Sequence, residues 1–413
     1  MNFLNIVQIS DTDIQGRRFN GHDLQIALNS IGHQAYHFVV NKDGNETTTI
    51  PLISGRGLFS RSLLIEFEQR LSMNGLAFIA GDIIKDRPEF QTADVVHYHL
   101  IHNYMLSLLD FPDLVMSKPS VWTIHDPWAF TGHCIHPMEC FGWKTGCSPC
   151  PRIHDYFPMK YDKARQMWNI KKMVYKKMDI DIVVASHFMK ELVNNSPLTA
   201  HFENVHIIPF GIKTKNFYKA RKRDSRIFWR IPENNFVIAF RSEQSEFKGV
   251  KYILEMLQKL NPSRPVTLLS IGYEPLPLNV KTRYHTIELG WQNNPNIIYN
   301  FYAACDIFLM PSIAESFGLM AVEAMASARA VIVFEGTALP SVTFAPECGI
   351  AIPNKDSDAL KETIERLMQN QNECDRRGEK GREIAEKYYR FEDYISRHIT
   401  LYEDIVSRKK YGN

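Results

Sequence analysis

Short apolar runs and amphipathic helical stretches alternate along almost the whole chain, in two separate series. In the first series FLNIVQI, ADVVHYH, SVWTIH and DIDIVVAS read as strands. Between the first two, FNGHDLQIALNSIG sets Leu24, Leu28 and Ile31 at helical spacing, with Gly32 as a stop. VHIIPFG reads as a hinge, after which the pattern restarts. NFVIAF, PVTLLSIG, HTIELG, IFLM and AVIVF are strand-like, and GVKYILEMLQKL and DALKETIERLM are helical. Strands separated by crossover helices run parallel, and parallel sheets are covered on both faces. The expected fold class is α/β, with two doubly wound Rossmann-like domains. A chain of 413 residues also exceeds what one hydrophobic core usually organises. Ligands in such sheets bind beyond the carboxyl ends of the strands, so a site is expected in a central cleft that the two domains face.

Composition narrows the function. A net charge of +2 disfavours a nucleic-acid partner. No apolar run reaches the roughly 18 residues of a membrane span. The start, MNFLNIVQIS, lacks a basic region and a small-residue cleavage site, and reads as a first strand. A cytoplasmic location is therefore expected, which argues against structural disulfides among the seven cysteines.

The segment MPSIAESFGLMAVEAMA (310–326) carries only two charges, Glu315 and Glu323. Charged side chains are rarely buried without partners. The strand IFLM ends near Pro311, and a helix is expected from about Ser316 or Phe317. Glu315 then lies in the strand-to-helix turn, and Ser316, Glu323 and Ser327 share one stripe of the helix. Free amides and the helix dipole at such an N-terminus favour phosphate, and an inward carboxylate accepts hydrogen bonds from sugar hydroxyls. The alternative is a helix-start acid beside a solvated surface acid.

This run, PSIAESFGLMAVEAMA, resembles the signature of the retaining GT-B glycosyltransferases of family 4 (glycosyl transferases group 1). FYAACDIFLMPS, IIPFGI, FKGVKYILEML, DIVVASHFM, ADVVHYHLIHN, VWTIHDPWAFTG and DIQGRRFNGHDLQIAL resemble other parts of that family. The resemblance implies an acceptor-binding domain over 1–207 with a Cys-rich loop at 131–151. It implies a nucleotide-sugar donor domain over 208–388 and a C-terminal helix, 389–413, crossing back to the first domain. Glu323 is then expected to hold ribose hydroxyls and Glu315 sugar hydroxyls. The amides of Phe317, Gly318 and Leu319 would hold sugar and phosphates. Lys248, with Arg241 as second cation, would neutralise the leaving diphosphate. Gly16 would let the first loop approach the diphosphate. His125, at the end of VWTIH, would contact the transferred sugar. The implied activity is retaining hexosyl transfer from a nucleotide-diphosphate sugar to a glycan or lipid-linked acceptor, in bacterial surface-polysaccharide assembly, with no metal needed in catalysis. Front-face attack is expected, since no carboxylate is placed for a covalent intermediate. The chain departs from the family in SARAVIV, with Ala328 and Ala330, and in GTALPSV, with Ser341 in place of a glutamate.

Other features admit two readings each. SGRGLFSRSLLIEFEQR and KARQMWNIKKMVYKKM, with Trp168, suit either a solvated helix or contact with an anionic membrane face. Of two Asp-x-Asp triplets, Asp11–Asp13 in the first loop is a weak cation candidate, while Asp179–Asp181 opens DIDIVVAS at the end away from the cleft. Cys134, Cys140, Cys147 and Cys150 could hold a structural zinc ion, with His133 and His136 as substitutes, or remain free thiols. An epimerase or hydrolase of nucleotide sugars, and an inactive nucleotide-binding subunit, are the alternatives to transfer.

Overall fold

The computed structural model describes residues 3–14, 20–54, 56–78, 80–102, 104–155, 157–217 and 221–411. The chain divides into two compact units, Met1–Ile208 with Ile395–Asn413, and Pro209–Tyr394.

Among the described residues the first unit holds a seven-stranded sheet: β1 (Asn5–Thr12), β2 (Gln34–Asn41), β3 (Thr49–Pro51), β4 (Val95–Tyr98), β5 (Ser120–Thr123), β6 (Asp181–Val184) and β7 (Val205–Ile207). Their order is β3-β2-β1-β4-β5-β6-β7, with every pair parallel. The order reverses between β1 and β4, the crevice position in a doubly wound sheet. The core lies between sheet and helices, around Phe38, Tyr98, Phe111, Trp122 and Tyr175. One face departs from the usual apolar strand. Gln8 and Ser10 on β1, His37 on β2, His97 with the following His99, and Thr123 are all buried. Their alternation follows the two-residue period of a strand, so they share a face.

The helix Phe391–Tyr411 supplies Tyr402 and His398, both buried, to this polar face. Near its end Arg408 donates to Asp181 Oδ1 at 2.7 Å, which also accepts from His206 Nε2 at 2.8 Å. Asp181 is thus an anchor for the last helix. Asp13 is likewise occupied, accepting from the amide of Asp43 at 2.6 Å.

The second unit carries, among the described residues, a six-stranded sheet: β8 (Phe236–Arg241), β9 (Val266–Ile271), β10 (His285–Glu288), β11 (Ile307–Met310), β12 (Ala330–Phe334) and β13 (Ile350–Ile352). The order is β10-β9-β8-β11-β12-β13, again parallel throughout. Here the central strands β8, β11 and β12 are almost wholly apolar, as a sheet covered on both faces requires. The order reverses between β8 and β11. Behind it, Asp306 is buried against Arg226 at 2.7 Å and the amide of Val237 at 2.7 Å. Lys222 and Arg226 hold its carboxyl below the usual range despite burial.

The two basic segments differ in what they bury. In the helix Ala164–Tyr175, Trp168 is buried and its indole N–H donates to Trp143 O at 3.0 Å, so the ring is core and not an interfacial anchor. In the helix Arg56–Leu71, by contrast, Phe59, Leu63, Phe67 and Leu71 are exposed at four-residue spacing. No helix among the described residues is long and apolar enough to cross a membrane.

Candidate functional site

The second unit places Arg241, Lys248 and Glu315 at or just beyond the carboxyl ends of β8 and β11, where the strand order reverses. β8 ends at Arg241; a short 3-10 turn, Glu246–Lys248, then enters the helix Val250–Lys259. β11 leads through Pro311 and Glu315 to the helix Leu319–Ala326. Lys248 Nζ lies 2.9 Å from Glu315 Oε2, with both side chains partly buried.

Two glycines allow this approach. Gly249 sits at φ +69°, and a Cβ there would fall 1.8 Å from Pro311 O. Gly318, at φ +97°, caps the helix, and its Cβ would fall 2.3 Å from Leu339 Cδ2. An L side chain fits neither the left-handed conformation nor the space. The left-handed turn at Gly318 also delays the helix. It begins at Leu319, not at Ser316 or Phe317 as the sequence suggested, so Ser316 is not on the stripe that Glu323 occupies. The hydrogen-bond ladder of this helix begins with the Ala321 and Val322 amides on Gly318 O, at 3.0 and 3.4 Å, so the Leu319 and Met320 amides precede it. Phe317 is buried, packing edge-on against Phe210 and Tyr389, with centroids at 5.3 and 5.7 Å.

Glu323 accepts a hydrogen bond from Tyr302 Oη at 2.8 Å. Burial and the adjacent Glu323 push the Tyr302 hydroxyl far above its ordinary range, so it stays a donor to the carboxylate. Arg241 pairs with Glu243 and lies 5.3 Å from the Trp291 ring centroid. The structure therefore brings Lys248 and Glu315 into direct contact, while Arg241 and Glu323 hold other partners.

Sequence reasoning passed over an aromatic pair in this unit. Tyr273 and Trp291 stack at 5.0 Å with planes 3° apart, and both are exposed. They follow β9 and β10 in the parallel phrases SIGY and ELGW. A strand, a glycine and an aromatic, repeated on neighbouring strands, was the available signal.

In the first unit His125 follows β5. Its Nε2 is 3.2 Å from His99 Nδ1, and burial lowers its pKa to about 3. The next residue, Asp126, caps the turn Pro127–Phe130 by accepting from the Trp128 amide at 2.9 Å, and pairs with His102 Nε2 at 3.2 Å. Lys171 is fully buried beneath this turn. Its Nζ donates to Trp128 O at 2.6 Å and Thr131 O at 3.0 Å, and lies 3.5 Å from the Trp128 ring centroid. Burial lowers its pKa to about 7. Gly16 lies outside the described residues.

Cys134, Cys140, Cys147 and Cys150 line one pocket with His133 and Trp143. Yet among the described residues no group of three or more His, Cys, Asp or Glu side chains is placed to hold a metal ion. The zinc expectation finds no ligand set here. Two of the sulfurs accept backbone hydrogen bonds, Cys147 Sγ from the Gly132 amide at 3.1 Å and Cys140 Sγ from the Gly142 amide at 3.4 Å. Burial pushes Cys134 up to about 12 and Cys147 up to about 11, which keeps both thiols protonated.

Residues 221–384 match the model of the family Glycosyl transferases group 1. Over 156 residues the chain is 33% identical to WcaC of Escherichia coli K12, a protein assigned to colanic acid biosynthesis as a glycosyl transferase; the match covers 36% of this chain and 35% of WcaC. The chain spans about half the length of the curated relatives it matches. Among solved structures, sucrose-phosphate synthase from Thermosynechococcus elongatus superposes with a TM-score of 0.72 at 18% identity, covering 97% of this chain and 99% of that one. Anabaena HepE, in complex with UDP and glucose, gives 0.65 at 13% identity, covering 96% and 99%. Residues 221–384 thus resemble the glycosyl transferases group 1, and the two parallel sheets share the fold of GT-B glycosyltransferases.

Proposed function

We propose that the chain is a retaining family 4 glycosyltransferase that moves a hexose from a nucleotide-diphosphate sugar to a glycan or lipid-linked acceptor. The observation that carries this reading is the Lys248–Glu315 pair at the crevice position of the second sheet, beside a helix N-terminus. On binding, Lys248 exchanges part of its contact with Glu315 for the diphosphate, and Glu315 turns its acceptors to sugar hydroxyls. Amides of Phe317, Gly318 and Leu319 hold sugar and phosphate. Glu323, oriented by Tyr302, takes the ribose hydroxyls, and the base stacks against the Tyr273–Trp291 pair. Arg241 is the second cation.

In the reaction the bond from the anomeric carbon to the diphosphate oxygen breaks, and its electron pair leaves with the diphosphate. Lys248 and Arg241 stabilise that charge as it develops. The acceptor oxygen bonds to the same carbon from the same face, and its proton passes to the leaving phosphate oxygen. His125 supplies a hydrogen bond to the transferred sugar. The likeness to WcaC supports surface-polysaccharide assembly. The exposed stripe Phe59, Leu63, Phe67 and Leu71 supports peripheral contact with an anionic membrane face.

A thermal-shift panel of UDP, GDP, ADP, CMP and their sugars tests the donor site, with Glu323→Ala as control. A ligand that binds only the folded state at a hundred times its Kd adds about 2.7 kcal/mol, a shift of several degrees. The expected result is a shift from one nucleotide, lost in the variant. No shift from any of them overturns the reading.

A further inference from the structure

Part of the polar face of the first sheet is a continuous hydrogen-bonded chain. His125 Nε2 is 3.2 Å from His99 Nδ1, and His99 Nε2 is 2.6 Å from Gln8 Oε1. Gln8 Nε2 donates to Tyr402 Oη at 3.2 Å; Tyr402 Oη is 2.6 Å from His97 Nδ1; His97 Nε2 is 2.6 Å from Thr123 Oγ1. Four strands and the last helix contribute to it or flank it, and its members are buried except at the His125 end.

With the Gln8 amide oriented as it is, the direction of each bond follows from what each atom can do. An amide oxygen only accepts, so His99 carries its proton on Nε2 and leaves Nδ1 as an acceptor. His125 must then donate from its own Nε2. At the other side, Tyr402 accepts from the Gln8 amide, so its hydroxyl proton goes to His97 Nδ1, and His97 donates from Nε2 to Thr123. All five bonds run one way, from His125 to Thr123. Burial holds His97, His99 and His125 well below the ordinary histidine range, so each ring is neutral with one proton to place. The Gln8 amide is the one group whose rotation would reverse every bond in the chain. As the amide stands, its N–H donates to Tyr402 and its oxygen accepts from His99.

We propose that Gln8 and Tyr402 are positioning residues: acting through His99, they fix the His125 ring in the Nε2–H tautomer, with Nδ1 as the acceptor presented to a sugar hydroxyl. This rests on the reading of His125 as a contact of the transferred sugar. Tyr402 is nearly three hundred residues from His125 in sequence and touches no substrate in this scheme. Its hydroxyl matters because it takes the Gln8 amide N–H and passes its own proton to His97, which ties the amide into the chain.

The test is nitrogen NMR of the full chain labelled with 15N-histidine, with His125 signals assigned by their loss in His125→Ala. The wild type is expected to show a bare Nδ1 and a protonated Nε2. Tyr402→Phe keeps the ring packing and removes both bonds; Gln8→Leu removes the amide itself. In each, the His125 signals are expected to show both tautomers in exchange. Initial rates of nucleotide release from UDP-glucose and GDP-mannose are measured alongside. In Tyr402→Phe, kcat is expected to fall about tenfold, with KM for the donor within twofold. A His125 tautomer that is Nδ1–H in the wild type, or that neither variant alters, overturns the proposal. So do wild-type rates in both variants when His125→Ala is slow. If His125→Ala itself keeps wild-type rates, the reading of His125 has failed, which the tautomer signals report independently.

Discussion

Lys248 Nζ and Glu315 Oε2 stand 2.9 Å apart, although 67 positions separate them in the chain. Each is the other's counter-ion while no substrate phosphate is present. The pair therefore stores a cation at the crevice without leaving it unbalanced. A partly exposed pair of this kind contributes on the order of 1 kcal/mol to stability, so its placement speaks for function more than for folding. Lys248→Ala should lower kcat by about 100-fold or more, as loss of a charge-stabilising group does, with a Tm change of only a few degrees. Steady-state rates and a melting curve on one preparation check both halves. A large Tm loss with an unchanged kcat would reverse the assignment.

The glycines beside this pair should differ sharply from one elsewhere. Gly249→Ala forces a Cβ to within 1.8 Å of a backbone oxygen, and Gly318→Ala one to within 2.3 Å of Leu339. Gly290, also at positive φ, has open space where its Cβ would be. Urea denaturation should give losses above about 2 kcal/mol for the first two, against about 1 kcal/mol for Gly290→Ala, where only backbone strain operates. Equal losses at all three positions would show that the close approaches relax.

Stability should fall in mild acid. His37 and His125 titrate near 3 in the folded chain because burial disfavours their charge, against 6.5 for a free ring. Between those values the unfolded chain binds more protons, so stability drops as pH falls, by up to about 1.4 kcal/mol per pH unit from each ring. His97 and His99 are lowered by burial too and act in the same direction. Denaturant midpoints from pH 7 to pH 4 check this. A flat profile over that range would mean that the rings are solvated.

Lys171 adds a trend at the alkaline side. Its folded pKa of about 7 lies below the ordinary 10.5 because burial disfavours the charge. The unfolded chain then binds more protons between those values, so this lysine makes stability rise with pH across that window. Lys171→Met should remove the rise. The same variant loses both carbonyl contacts of the turn after His125, and its activity should fall with it.

The cysteine pocket makes a chemical prediction. Thiols held near 11 and 12 carry almost no thiolate at pH 8, and the thiolate is the nucleophile. Cys134 and Cys147 should react with iodoacetamide far more slowly in the folded chain than in urea, as peptide mass spectrometry would report. Acceleration by a chelator in the folded protein would instead reveal a bound metal and overturn the neutral-thiol account.

The second unit was readable from its sequence because its strands obey the simplest rule, apolar side chains facing apolar helices. NFVIAF, PVTLLSIG and AVIVF could hardly be anything else, and the paired glutamates stood out against them. The helix start was misplaced because a left-handed glycine at 318 looks, in sequence, like any other small residue near a helix. Trp168 was ambiguous for a related reason. Lysines flanking a tryptophan describe a buried amphipathic helix as well as an interfacial one, and only the packing against Trp143 decides. The polar face of the first sheet was visible in principle as HYH in β4 and QIS in β1. Its meaning was not, because Tyr402 comes from the far end of the chain and no local pattern announces it.

That distance has a consequence for how the molecule is made. Ribosomes release a chain from its first residue to its last, and domains generally fold in that order. Here the first unit includes residues beyond Ile395. While the second unit is being synthesised, Gln8 and His97 lack their common phenol, and Asp181 lacks Arg408. The amino-terminal sheet must wait, with a buried polar face still open, until the final helix emerges. The unit that is begun first is the one completed last.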